Sequence, residues 1–555
     1  MGTLGQNYRH EKLEALAKRE TPWDMVVVGG GITGAGVALM AARAGLDVLL
    51  LEKRDYAWGT SSRSSKMVHG GLRYLSQGDF RLTRESVRER ERLLLEAPGL
   101  IEPLNYIFPF REKQFPTRRA FQILLNIYGY FAKKRDHKFL NREQTIAALP
   151  GLFEEGLVGS AQYSDAVTDD CRLVLRVLAE GKQHGATTLN YACVKTIKSD
   201  GDGLKLLEVH DQESGKSFSV SSRTVVNATG VWADDLRSQL GKAKRVRPLR
   251  GSHIVVPSWR LPVHQCLTYL HPRDKRGVFV YPWFGRTVIG TTDLDHTANL
   301  DLEASITPEE VVYLLEGANH NFSGTQLTEA DVVSTWSGVR PIVGDEKVDP
   351  KDLHPSKAKR DHVVWDDEGT ITVTGGKLTT FRVMARQVLE KSTEYLPHLD
   401  MSQLGEHVFA PETSMPDSKV FAALSEAEKK RLKGYYGTDL EALIATTSEQ
   451  ALSRTCGISY LWAELEWAAM HEDVVHLDDL LLRRTRIGLV LYEGGKALTG
   501  ELEAGLRDKL GWSMEKWQDE WSRYQKIWQD HYSLPVSGST NVQEGAQVNQ
   551  ELVAK

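Results

Sequence analysis

The chain has 555 residues, enough by length for about three or four domains, with 41% hydrophobic and 26% charged residues, an ordinary mix for a protein that buries a large core. Its net charge of -5 exerts no global pull on nucleic acid, so any basic site has to be local. Cys171, Cys193, Cys266 and Cys456 stand apart with no CxxC pair, which suits neither zinc nor a disulfide framework and fits a reducing, cytoplasmic setting.

The opening stretch MGTLGQNYRHEKLEALAKRE lacks an apolar h-region, so no secretory signal is expected. Residues 9–20 read as a short polar helix. Asp24–Val28 is a short apolar strand, followed by Gly29–Gly36, the small-residue helix ALMAARAG and a second apolar strand, DVLLLE. That succession is the β-α-β unit of a doubly wound α/β sheet. A charged helix is expected over 80–97 and a short apolar one over 120–132. Strand-like segments recur at 216–227, 252–257, 278–281, 286–291 and 371–374. VVNATG and ITVTGG both end in glycine, as strands of a parallel sheet do where they meet a ligand. From 418 to 530 the chain reads as mostly helical, and Trp517, Trp521, Tyr524 and Trp528 are spaced along one helix face that suits core packing.

These segments divide the chain into a nucleotide domain in three parts (20–110, 161–245 and 336–390), a cap segment (111–160) and an inserted substrate cap (246–335). A helical C-terminal domain (391–534) and a polar, disordered tail (535–555) follow. No apolar run approaches the roughly 18–20 residues that span a bilayer.

The glycine turn carries the strongest chemistry. In Gly29-Gly30-Gly31-Ile32-Thr33-Gly34-Ala35-Gly36, Gly29 permits a tight turn, Gly31 lets the backbone approach a pyrophosphate, and Gly34 brings helix and strand together. The helix N-terminus then offers free N–H groups and the positive dipole end to phosphates. Glu52 ends the second strand at the spacing that suits a ribose. Strand, turn, helix and acid together make a dinucleotide site, without separating NAD from FAD.

Further motifs separate them. TSSRSSKMVHGGLRYL (60–75), NATGVW (227–232), RGSHIVVP (250–257), GTTD (290–293), SGVRP (337–341), TGGKLTTFR (374–382) and DDLLLRRTRIGL (478–489) follow the fingerprint in order. Together they resemble the FAD-dependent glycerol-3-phosphate dehydrogenases over residues 20–530. The resemblance implies an α/β, glutathione-reductase-type FAD domain with an antiparallel-sheet substrate cap and a helical C-terminal domain. It also implies non-covalent FAD, oxidation of sn-glycerol 3-phosphate at C2 to dihydroxyacetone phosphate, and electron transfer to a membrane quinone. A close branch uses oxygen and makes hydrogen peroxide. Its usual extra insertion does not fit in this length. Oligomeric state stays open.

The same resemblance implies the site. Ser61, Ser62, Ser65 and Lys66 fall in a loop along the cofactor, with Lys53, Val194, Gly230, Trp232, Gly376, Leu378 and Thr379 at other contacts. Lys377 follows ITVTGG in a strand–turn–helix context, where an ammonium would stabilise charge on reduced flavin and meet substrate. Arg340 resembles the substrate-clamping arginine, whose fork suits phosphate or an alcohol oxygen. Arg73, beside Tyr74, is a second phosphate cation and Arg360 a third. His69 and His253 are both candidates for the base, and the sequence does not rank them.

Residues 118–135, RRAFQILLNIYGYFAKKR, place an apolar stretch between basic pairs. Two readings stand side by side, a helix lying in a membrane interface and a buried cap helix with charged ends. Other functions compatible with the fold are an amino-acid oxidase, which needs one carboxylate-binding arginine but not several phosphate cations, and a flavin-binding scaffold without activity.

Overall fold

The apolar segment Trp23–Val28 lies at the centre of a mixed sheet. It pairs in parallel with Val48–Leu51 on one side and Ser217–Asn227 on the other. Thr187–Leu189 continues the first side and Thr370–Gly375 the second, both parallel, and His362–Asp367 adds an antiparallel edge. Strand order therefore reverses at Trp23–Val28, the point where such sheets bind ligands beyond their strand ends. The computed structural model describes residues 4–76, 78–200, 203–343, 361–410, 416–455 and 458–535, without the side chains of residues 4–8, 73 and 76. Cys456, Arg360, the side chain of Arg73 and the tail from 536 onward lie outside the described residues.

The central strands read as continuous apolar runs because both faces are covered. Met25, Val27 and Leu50 pack under the helices Ile32–Arg43, Asp170–Gln183 and Phe381–Ser392. Val26, Leu49 and Leu51 face a meander of Ala192–Ser199 and Lys205–Asp211. Each such Val or Leu contributes about 1.5–3 kcal/mol of burial. The first helix runs over Leu4–Ala17, earlier than the expected 9–20.

A second sheet forms the cap. Val246–Pro257 lies near one edge, flanked by Ser334–Val343 and Arg286–Gly290, and Gly277–Trp283 and Cys266–Leu270 follow. Ile101–Arg111, Leu157–Thr168 and the short Met67–Val68 extend it, and Leu294–Asp295 and Lys138–Asn141 add short strands at its edges. The sheet is antiparallel apart from one parallel pair, Cys266–Leu270 against Ile101–Arg111. It thus draws strands from both sides of the 246–335 segment.

Asp79 caps the helix Phe80–Glu96, accepting from the Leu82 N–H at 3.0 Å. Against it lies Arg118–Ala132, amphipathic as both readings of this stretch require. Phe121, Leu125 and Tyr128 are buried, whereas Ile123 is 63% and Tyr130 80% exposed.

Beyond residue 426 the chain is a set of helices docked on the nucleotide domain. Trp517, Tyr524 and Trp528 of Met514–His531 are buried and Trp521 packs beside them, as expected for a core stripe. Within the DDLLLRRTRIGL segment, buried Arg484 grips Asp55 with both nitrogens at 2.6 and 2.7 Å, and Arg486 holds Asp169 and Asp170 at 2.6 Å. His476 joins the same interface, lying 2.9 Å from Glu520 and 3.1 Å from Glu213. Burial opposes its charge, yet the hydrogen bonds to these carboxylates push its pKa up to about 10. A raised histidine stabilises the fold fully below its unfolded pKa of about 6.5 and loses that contribution as pH rises through 10. His476→Gln is therefore expected to cost about 2 kcal/mol at pH 7, and denaturant titrations should show the deficit shrinking steadily towards pH 10. A pH-independent deficit would refute the charged state.

Candidate functional site

The fingerprint explains its own glycines. Gly29 has φ +111°, and a Cβ there would lie 2.6 Å from the Ala228 carbonyl oxygen. At Gly34 a Cβ would lie 1.9 Å from the Gly29 oxygen, so only glycine lets the helix Ile32–Arg43 sit this close to its strand. Gly31 differs, because a Cβ there would meet nothing but Ser61, at 3.1 Å. Protein packing does not demand glycine at 31. The bare backbone instead borders a cavity of about 430 Å³, which is what close approach by a pyrophosphate requires. The helix begins without a side-chain cap of its own, and the Ile32 N–H donates to Ser61 Oγ at 3.0 Å.

The cavity runs along the ends of the parallel strands and under the cap. Gly29, Gly31, Ile32, Thr33, Glu52, Lys53, Ser61, Ser65, Val194, Gly230, Trp232, Gly376, Lys377, Leu378 and Thr379 all line it. Glu52 accepts from the Gly30 N–H at 2.6 Å and the Arg54 N–H at 2.8 Å, and burial pushes its pKa up. Lys53 pairs with Asp301 at 2.5 Å and stands 4.3 Å over the Trp232 ring.

Three expected cofactor residues do not line the cavity. Gly34 sits beneath the helix, where it serves packing. Ser62 is buried with its hydroxyl turned to the Gly59 carbonyl. Lys66 is wholly buried, 3.0 Å from Asp170 and 2.9 Å from the Ser62 carbonyl, and burial lowers its pKa to about 8. It pins the loop from behind instead of meeting phosphate. Nearness along the chain to the cofactor loop could not reveal which side of that loop each side chain takes.

The other end of the cavity gathers His69, Tyr74, Arg340 and Lys377. The Lys377 Nζ lies 2.9 Å from Ser86 Oγ and 3.6 Å over the Tyr74 ring, which in turn lies 6.4 Å from the His69 ring. Arg340 reaches Thr291 Oγ1 at 3.3 Å and Asp293 at 3.5 Å. Its fork passes over Gly251, where a Cβ would come within 2.7 Å of Nη2. Asp293 also holds Arg276, at 3.3 Å. Thr291 and Asp293 belong to the GTTD motif, whose residues gave no separate sign of this supporting role. Arg73 occupies the helix Leu72–Ser76, in the turn after His69.

The two histidines part company. His69 lines the cavity, and His253 does not. His253 is buried, stacked 4.8 Å from Trp336, with Nε2 2.9 Å from Ser65 Oγ. Burial, then Arg340 and Lys66, hold its pKa well below the ordinary value, so the ring is neutral. It is linked to the cavity by the hydrogen bond to Ser65 and by the charge of Arg340. A strand position in the cap and a position in a cavity-side turn look alike in sequence, since a glycine stands within two residues of each.

The comparisons agree with this geometry. A family profile described as "FAD dependent oxidoreductase" matches residues 24–388, and one described as "C-terminal domain of alpha-glycerophosphate oxidase" matches residues 372–517. A glycerol-3-phosphate dehydrogenase of Mycobacterium leprae is 34% identical over 541 residues, covering 94% of this chain and 90% of that protein. An aerobic glycerol-3-phosphate dehydrogenase of Staphylococcus aureus is 31% identical over 492 residues, covering 84% and 87%. Among solved structures, the glycerol-3-phosphate dehydrogenase from Bacillus halodurans complexed with FAD superposes with a TM-score of 0.72 at 25% identity, covering 94% of this chain and 98% of that one.

Proposed function

The chain belongs to the FAD-dependent oxidoreductase family, and from that premise we propose that it oxidises sn-glycerol 3-phosphate to dihydroxyacetone phosphate and passes the electrons to a membrane quinone. One observation carries the reading. A single cavity brings the pyrophosphate cradle at Gly29–Thr33 together with Arg340, Lys377, Tyr74 and His69. Several cations beside a redox cofactor fit a phosphorylated alcohol better than an amino acid, which needs one carboxylate clamp.

Bound FAD supplies the hydride acceptor. The protein supplies the rest. Arg340 and Lys377 bind the anionic substrate and oppose its negative charge in a partly dehydrated site. Tyr74 supports the ammonium of Lys377 from below. A ring nitrogen of His69 takes the hydroxyl proton as the C2–H bond breaks. Neutral His253 holds the Ser65 hydroxyl in place.

The quinone reading draws support from the dehydrogenase names of the relatives and from the outer face of Arg118–Ala132. There Ile123 and Tyr130 are exposed between Arg118–Arg119 and Lys133–Lys134–Arg135. Such a face suits an anionic lipid surface, on the cytoplasmic side. Among the described residues no helix is long and apolar enough to cross a membrane. A second reading, oxygen as acceptor, has its own support in the C-terminal domain description and in the fold shared with the L-alpha-glycerophosphate oxidase from Mycoplasma pneumoniae, at a TM-score of 0.54.

Anaerobic titration of the yellow protein with sn-glycerol 3-phosphate should bleach the flavin band at about one equivalent. No bleaching would overturn the substrate assignment. In air, a soluble quinone analogue should sustain turnover, whereas stoichiometric peroxide without quinone would favour the oxidase.

A further inference from the structure

The turn His69-Gly70-Gly71 delivers a cavity-lining side chain from a segment of irregular backbone, and something must hold it. The Gly70 N–H donates to Asp165 Oδ1 at 3.0 Å. The same oxygen accepts from Tyr128 Oη at 2.7 Å and from Arg90 Nη1 at 2.5 Å. Asp165 lies on the cap strand Leu157–Thr168 and is 4% exposed. Tyr128 and Arg90 are buried as well, on the helices Arg118–Ala132 and Phe80–Glu96.

Two helices therefore converge on one carboxylate oxygen, and the third partner is the peptide group directly after His69. Gly70 is glycine for the same reason. A Cβ there would lie 2.3 Å from Tyr128 Oη and 2.4 Å from a Val87 methyl. Packing the cap alone would not need this contact. A buried carboxylate is costly unless its charge and lone pairs are met, and here part of that satisfaction is spent on the flavin-side turn. The helix that carries Arg90 also carries Ser86, the partner of Lys377. One scaffold thus holds both the His69 turn and the Lys377 ammonium.

We propose that Asp165 is a positioning residue for the oxidation step, fixing the Gly70 peptide and so the aim of His69, with Tyr128 and Arg90 fixing Asp165 in turn. The inference rests on the proposed alcohol oxidation and deepens it. Charge-assisted bonds of this kind set orientation tightly, and small misplacements of a reacting group cost rate more than binding.

The test uses the FAD-loaded protein and two variants, Asp165→Asn and Tyr128→Phe. Asp165→Asn keeps shape and an oxygen acceptor but loses the charge that gathers three donors. Tyr128→Phe leaves that charge and removes one donor. Expected for Asp165→Asn is unchanged flavin content, kcat and the anaerobic bleaching rate down by about 10- to 100-fold, and KM within about threefold. Tyr128→Phe should show the same split with a smaller loss, about three- to tenfold. If Asp165→Asn does not fold, Tyr128→Phe decides the matter alone. An unchanged bleaching rate in either loaded, folded variant overturns the proposal, as does a loss that falls on KM or that excess FAD restores. Should the unmodified protein itself fail to bleach, the functional reading fails instead, and the two failures are told apart by that control.

Discussion

Gly31→Val is expected to yield a folded protein that lacks FAD. The backbone at Gly31 has φ −79° and ψ −178°, an extended conformation that valine adopts readily. The nearest protein atom to a new Cβ is Ser61 Oγ at 3.1 Å, the end of a short side chain. The fold therefore takes the substitution with Ser61 giving way by a few tenths of an ångström. The cavity rejects it, because the extra methyls stand where a pyrophosphate has to approach bare backbone. Losing one or two charge-assisted hydrogen bonds to phosphate costs about 3–4 kcal/mol, or roughly 10²- to 10³-fold in affinity. The purified variant should be colourless, with far-ultraviolet circular dichroism like the parent's. Full yellow colour would contradict the cradle. Gly34→Ala makes the contrast, since its Cβ would collide with backbone at 1.9 Å and should cost folding before it costs cofactor.

What the sequence made legible follows from how local each signal is. The strand expected over 24–28 is Trp23–Val28, and that over 216–227 is Ser217–Asn227. Apolar runs and bounding glycines are written within a few residues, so they can be read there. The cap sheet is less local. Ile101–Arg111, Leu157–Thr168 and Ser334–Val343 join it from outside the 246–335 segment, because sheet membership is decided by partners far along the chain. The arginines of DDLLLRRTRIGL were legible as a C-terminal element, but not as the grip on Asp55, Asp169 and Asp170.

The site divides along the same line. Backbone-defined positions such as Gly29, Gly31 and Gly376 line the cavity. Side chains whose direction depends on neighbours do not follow so simply. Lys66 and Ser62 share a loop with Ser61 and Ser65, yet face away from the cavity. His253 sits one residue from the Ser252 that bonds Glu310 at 2.8 Å, and its own partner is Ser65, 188 positions away. Asp165 carried no motif at all. Its role exists only once Gly70, Arg90 and Tyr128 have been brought together.

Arg340→Ala is the second large effect, and it separates substrate from cofactor. The residue lies on the cap strand Ser334–Val343, and its side chain contacts Thr291 and Asp293 rather than the glycine turn of the fingerprint. Asp293, left without this neighbour, keeps Arg276 at 3.3 Å, which limits the cost of a stranded buried carboxylate. Flavin content should therefore match the parent's. What disappears is a planar, permanently charged fork held over Gly251 and steadied by Thr291. Removing one such preorganised donor from a catalytic site costs about 10²- to 10³-fold, and kcat/KM for sn-glycerol 3-phosphate should fall by that much. Arg340→Lys should recover only part of the loss, because a point charge cannot reproduce two parallel hydrogen bonds. Added guanidine should restore some activity to the alanine variant and none to the lysine one, whose side chain fills the space. The neighbouring imidazole offers an independent reading. Arg340 helps hold the His253 pKa down, so its removal should raise that pKa, visible in the NMR titration of the histidine ring. A loaded Arg340→Ala protein with undiminished kcat/KM would remove the arginine from the site, whatever the cavity's shape.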